Sequence, residues 1–157
     1  MIKIEQDQLT TSERGFLTER IPGWFMPALF DFAGIRAARK ELEDGVCEVL
    51  ELPAKRVWAS ELKRSCWTSN VLIDAGDGQF LYVVSFDRFD PGSEAPTEEL
   101  IIRRSPKTKW ILSAKLTGAA VPITQLNDLA DCVKSKYECE ILAKEDLPTE
   151  IQSTLAT

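Results

Sequence analysis

One hairpin constrains this chain more than any other feature. Val71-Leu72-Ile73-Asp74-Ala75 and Phe80-Leu81-Tyr82-Val83-Val84 flank Gly76-Asp77-Gly78. Glycine supplies the positive φ that so tight a turn needs. Both arms are apolar at successive positions, so both of their faces are apolar and the hairpin belongs at the centre of a sheet. A second hairpin joins Leu100-Ile101-Ile102-Arg103-Arg104 to Lys109-Trp110-Ile111-Leu112 through Ser105-Pro106-Lys107-Thr108. Val46 to Leu52 is also β-like, closed by Pro53, and Cys139 to Ala143 reads as a final strand.

Helical signals surround these strands. Thr10-Thr11-Ser12-Glu13 is a capping box, in which Thr10 accepts from the Glu13 N–H and Glu13 reaches back to the Thr10 N–H. The helix it opens, with Phe16 and Leu17 on its apolar side, ends at Pro22-Gly23. Pro27 suits the first turn of a second helix that runs to about Asp44, with Gly45 as its stop. Leu29, Phe32, Ala33 and Leu42 form its apolar face, and Arg36, Arg39, Lys40, Glu41 and Glu43 its wet one. Pro122 leads into an amphipathic helix with Ile123, Leu126, Leu129, Ala130, Val133 and Tyr137 on one side. Two readings stand for the end of the chain: a short last helix beginning near Pro148, or a frayed tail after about residue 146. Residues 54–68 carry no readable period.

This order predicts one α+β domain over residues 1–157, with N-terminal helices and a later helix on a mostly antiparallel sheet of about five strands. Strands do not alternate with helices, which argues against a doubly wound parallel sheet. No apolar run reaches the roughly 20 residues of a membrane span. The start, Met1 to Asp7, lacks a basic region followed by an apolar stretch, so the chain reads as cytoplasmic and free of membrane.

The chain contains no histidine. That excludes Ser-His-Asp and Cys-His catalysis and HExxH zinc sites. Cys47, Cys66, Cys132 and Cys139 form no CxxC pair, and no metal site or cofactor is expected. Neither a GxxxxGK[ST] loop nor a GxGxxG after a strand is present. Asp77 is the residue a tight turn wants. Asp87 and Asp90 sit in a long Pro/Gly-containing loop and could do acid–base work, although aspartate also caps turns. Cys66 is the cysteine with cations close in sequence, Lys63 and Arg64, as an activated thiolate requires; a buried thiol is the plainer reading.

Charge is uneven. Residues 1–52 hold 6 basic and 10 acidic side chains, residues 53–115 hold 10 and 8, and residues 116–157 hold 3 and 7. The net charge of −6 disfavours nucleic acid and anionic membranes and suits a basic protein partner. Arg103, Arg104, Lys107, Lys109 and Lys115 cluster on the second hairpin beside Trp110, either to guard an edge strand or to form a contact surface. Phe89 among Asp87, Arg88 and Asp90 has the look of an interface anchor with a charged rim.

The function expected is therefore a small acidic binding module, inhibitor-like, immunity-like or regulatory, and not an enzyme. Its expected contact residues are Asp87, Arg88, Phe89, Asp90, Glu94, Arg103, Lys107 and Lys109. Two alternatives stand beside it. One is a regulator holding a small ligand between sheet and helices. The other is a histidine-independent enzyme using Cys66 or the Asp87/Asp90 pair.

Overall fold

The computed structural model describes residues 1–21, 32–60, 70–84, 97–126, 129, 133 and 135–155. Among the described residues nine strands fall into two sheets. The first has the order β1-β2-β6-β7, from β1 (Lys3–Gln8), β2 (Val46–Pro53), β6 (Thr97–Arg104) and β7 (Ile111–Ala120). The second has the order β8-β3-β4-β5-β9, from β3 (Arg56–Ala59), β4 (Val71–Gly76), β5 (Gln79–Val83), β8 (Ile123–Gln125) and β9 (Cys139–Ala143). Every pairing is antiparallel except β3 with β8. The α+β class and antiparallel pairing are as the sequence predicts, but the strands make two stacked sheets.

Strand alternation explains the stacking. Along β4, Val71, Ile73 and Ala75 face the first sheet, where they meet Leu50, Leu52, Leu100 and Ile102. Leu72 faces the other way, with Trp58, Phe80 and Tyr82, under Leu129, Leu147 and Ile151. The hairpin is apolar on both faces because it is buried on both. Its turn is tight: Asp77 and Gly78 have φ of 55° and 73°, the left-handed pair of a two-residue hairpin loop. A third cluster lies outside the first sheet, where Leu17 of α1 (Thr11–Arg20) and Leu42 of α2 (Phe32–Asp44) meet Cys47, Trp110 and Leu112. The last helix, α3 (Thr149–Leu155), covers the outer face of the second sheet through Ile151. The layers run helices, sheet, sheet, helix. Trp58 and Trp110 therefore lie on opposite outer faces of the sandwich.

Both predicted helix signals at the N-terminal end are realised. Glu13 N–H donates to Thr10 Oγ1 at 3.2 Å, and Thr10 N–H to Glu13 Oε2 at 2.9 Å. The helix stops at Arg20, before Pro22. Gly45, at φ 70°, ends α2 with its N–H on the Glu41 carbonyl.

One strand goes unread in the sequence, and three readings need correction. Lys3–Gln8 is a strand, paired residue by residue with Gln8 to Val46 and Lys3 to Glu51. Its polar residues give it no period, so the partner strand decides its conformation. Ile123–Gln125 is a strand beside β3, not the first turn of a helix. Leu129 is helical and Val133 N–H bonds its carbonyl at 2.9 Å, yet Val133 is not helical and residues 136–138 bend, so no helix reaches Tyr137. A free sheet edge and a core slot for Ile123 outweighed the helical spacing. On α2 the faces differ from expectation: Ala33 is exposed, while Glu41 is 2% exposed. Finally, β6 lies between β2 and β7, so Arg103 and Arg104 guard no edge.

Candidate functional site

Most buried charge in the described residues is structural. Glu13, 3% exposed, holds α1 to the sheet: it accepts from Arg103 Nε at 2.6 Å, Arg103 Nη2 at 3.2 Å and Ser113 Oγ at 2.9 Å. Burial pushes its carboxyl up, but the hydrogen bonds from Arg103, Thr10 and Ser113 outweigh that and hold it below the usual range. Arg103 also reaches Asp7 Oδ2 at 2.6 Å and the Gln8 carbonyl at 2.7 Å. Arg104, 4% exposed, points between the sheets. Its Nε donates to Glu48 Oε2 at 2.8 Å and its Nη1 to the Cys139 carbonyl at 2.7 Å. Lys109 Nζ donates to both Glu48 oxygens at 3.0 Å. Arg103 and Lys109, two of the residues expected to contact a partner, are thus engaged within the chain.

A different set of cations lines a groove where α2 and the end of α1 meet the β6–β7 turn. One lobe, about 430 Å³, is bordered by Ala33, Gly34, Ile35 and Ala37 of α2 and by Lys107; a second, about 380 Å³, is bordered by Val84, Ser135 and Glu138. Arg20, Thr108, Trp110, Lys136 and Tyr137 line both, so the lobes adjoin along a shared wall.

Local chemistry fixes each wall. Arg20, in the last turn of α1, lies over the rings of Phe16 and Trp110, 4.7 and 5.2 Å from their centres. Its Nη1 donates to Glu138 Oε2 at 3.0 Å. Glu41 holds the β6–β7 turn. Its carboxylate accepts from the Lys107 N–H, from the Thr108 N–H at 3.0 Å and from Thr108 Oγ1 at 3.1 Å. The turn closes with Ser105 Oγ on Thr108 Oγ1 and Trp110 N–H on Ser105 Oγ at 3.0 Å. Lys107 and Lys136 are exposed and make no ion pair among the described residues. Tyr137, 41% exposed, is anchored by its N–H on Ser135 Oγ at 3.0 Å.

Among the described residues of the lining, Arg20, Lys107 and Lys136 against Glu138 give a net charge of +2, opposite in sign to the chain's −6. Of the described residues expected in the site, Lys107 borders this groove and Arg103 and Lys109 do not. Asp87, Arg88, Phe89, Asp90, Glu94 and Cys66 lie outside the described residues. Sequence reasoning did not bring Arg20, Lys136 and Tyr137 together, and no local signal could have: Arg20 and Glu138 are 118 residues apart.

Among the described residues no group of three or more acidic or cysteine side chains is placed to hold a metal ion. Cys47 and Cys139 are buried, and burial pushes the Cys139 thiol up to about 11 and the Cys47 thiol up as well. Also among the described residues, no helix is long and apolar enough to cross a membrane. Comparisons with protein-family models, with curated proteins and with solved structures found no match.

Proposed function

We propose that this chain is a small protein-binding module, regulatory or inhibitor-like, that acts by surface complementarity and performs no chemistry of its own. One observation carries the reading. Exposed Lys107, Lys136 and Tyr137 project from a frame that Glu41, Glu138 and Trp110 hold in place, whereas the buried ionic groups described are spent on joining helix to sheet and sheet to sheet. Cations carried on an ordered backbone around aromatic surface are the make-up of a contact site, because the backbone that presents them needs no ordering on binding.

A second reading, a regulator holding a small anionic ligand, draws on the size of the groove, whose larger lobe of about 430 Å³ is of the order of ligand sites. The test is capture from native cells by the tagged chain and by its Lys107→Glu/Lys136→Glu variant, each followed by intact-complex mass spectrometry. One stoichiometric protein partner, lost in the variant, is the expected result. A small added mass without a protein supports the second reading. A bare chain in both cases, or a partner held equally by the variant, overturns the proposal.

A further inference from the structure

The groove's charge specifies its occupant more narrowly than the chain's net charge does. We infer that it takes an acidic segment of a partner protein, with carboxylates meeting Lys107, Lys136 and Arg20 and an apolar or aromatic side chain lying against Trp110 and Tyr137. This rests on the binding reading above. The global charge of −6 points to a basic partner. At contact, however, the nearest charges decide, because charges more than about 8 Å away are largely screened at physiological ionic strength. Among the described residues that line the groove, the charged ones are three cations and one carboxylate; that carboxylate already accepts from Arg20 and from the Ile111 N–H, and the neighbouring Glu41 and Glu140 carboxylates are bound by Thr108 and Ser135.

The aromatic half of the occupant follows from exposure. Tyr137 is the one aromatic side chain among the exposed large hydrophobics of the described residues, and it stands at this groove beside Trp110. A surface that combines cations with an available ring recognises an anion joined to an apolar group, and a simple salt ion uses only half of it. Arg20 is held between a carboxylate and two rings, so its remaining N–H groups are fixed in advance for a planar acceptor. A nucleic-acid strand also offers anions and rings. It would need a run of cations along its backbone, and this groove supplies three on a chain of net charge −6.

The hollow at Lys3, Glu51, Glu99 and Ile101 supports no comparable inference, since its lysine is already bound to Glu5 at 2.7 Å and to Glu51 at 3.4 Å.

The test is fluorescence anisotropy with four short labelled probes: a peptide with a tryptophan between glutamates, its counterpart with serine for the tryptophan, the first peptide with lysines for glutamates, and an oligothymidylate. The acidic tryptophan peptide should bind, its serine counterpart more weakly, and the basic peptide and the oligonucleotide should not. Lys107→Glu/Lys136→Glu should weaken it about tenfold or more. Lys115→Glu/Lys144→Glu changes the net charge equally at two exposed lysines that do not line the groove, and should change affinity less than about twofold. Tyr137→Ala should weaken the tryptophan peptide and leave its serine counterpart unchanged. Preference for the basic peptide or the oligonucleotide, no binding of the acidic peptide up to about 1 mM, or equal losses in both lysine variants would overturn the inference. If the acidic peptide fails while Lys107→Glu/Lys136→Glu still releases a captured partner, the binding reading stands and the acidic occupant falls.

Discussion

Replacing Glu13 by glutamine tests whether one buried carboxylate joins α1 to the first sheet. Glutamine keeps the volume and one acceptor but turns a donor toward the Arg103 guanidinium, which now meets two charge-assisted bonds at 2.6 and 3.2 Å. Breaking a buried pair from one side costs about 3–5 kcal/mol, since it leaves the other charge without its counter-ion. Arg103 retains Asp7 at 2.6 Å and the Gln8 carbonyl at 2.7 Å, so the lower end applies, about 3 kcal/mol. With a urea slope of about 2 kcal/mol/M, the midpoint should fall by about 1.5 M at unchanged slope. Acid supplies a second readout. The folded carboxyl lies below its ordinary value, so its contribution is complete above the unfolded pKa of about 4.3 and is lost as pH falls through the folded value. The gap between wild type and Glu13→Gln should therefore narrow on acidification from about pH 5 to pH 3. A loss under about 1 kcal/mol at neutral pH, or a gap that stays constant on acidification, would refute the reasoning.

Other expectations are simpler. Glu41→Ala removes the acceptor of two backbone N–H groups in the β6–β7 turn and should cost about 2–4 kcal/mol by thermal or urea unfolding, while Glu43→Ala, exposed on the same helix, should cost under about 0.5 kcal/mol. Cys47 and Cys139 should resist iodoacetamide at pH 8 in the native state and label once urea unfolds the chain, read by peptide mass spectrometry; native labelling at a free-thiol rate would contradict their burial and raised thiol pKa.

Local signals survived into the structure wherever the physics was local. The capping box at Thr10 and Glu13, the Asp77-Gly78 turn and the Gly45 stop each depend on a few adjacent residues and could be read directly. What could not be read was set by partners distant in sequence. Nothing near Glu13 reveals that its carboxylate also binds an arginine 90 residues on. Nothing in Lys3–Gln8 makes a strand until β2 lies beside it. Glu41 sits among charged neighbours on α2 and reads as solvated, yet the turn from the second hairpin buries it. The candidate site followed the same rule. The loop from Asp87 to Glu94 lies outside the described residues, and the groove draws its walls from α1, α2, the β6–β7 turn and the stretch before β9.

The order in which the chain visits the two sheets has a consequence for its birth. It lays β1 and β2 in the first sheet, β3 to β5 in the second, returns for β6 and β7, and crosses again for β8 and β9. Neither sheet is whole until most of the polypeptide has been synthesised, and Arg104 of β6 waits for the carbonyl of Cys139. A ribosome carrying the first hundred or so residues therefore displays the apolar inner face of a half-made sandwich, at a few residues per second. Such long-range pairing folds slowly. We expect the nascent chain to be a client of chaperones up to the emergence of β9, and protease resistance to appear once β9 has paired.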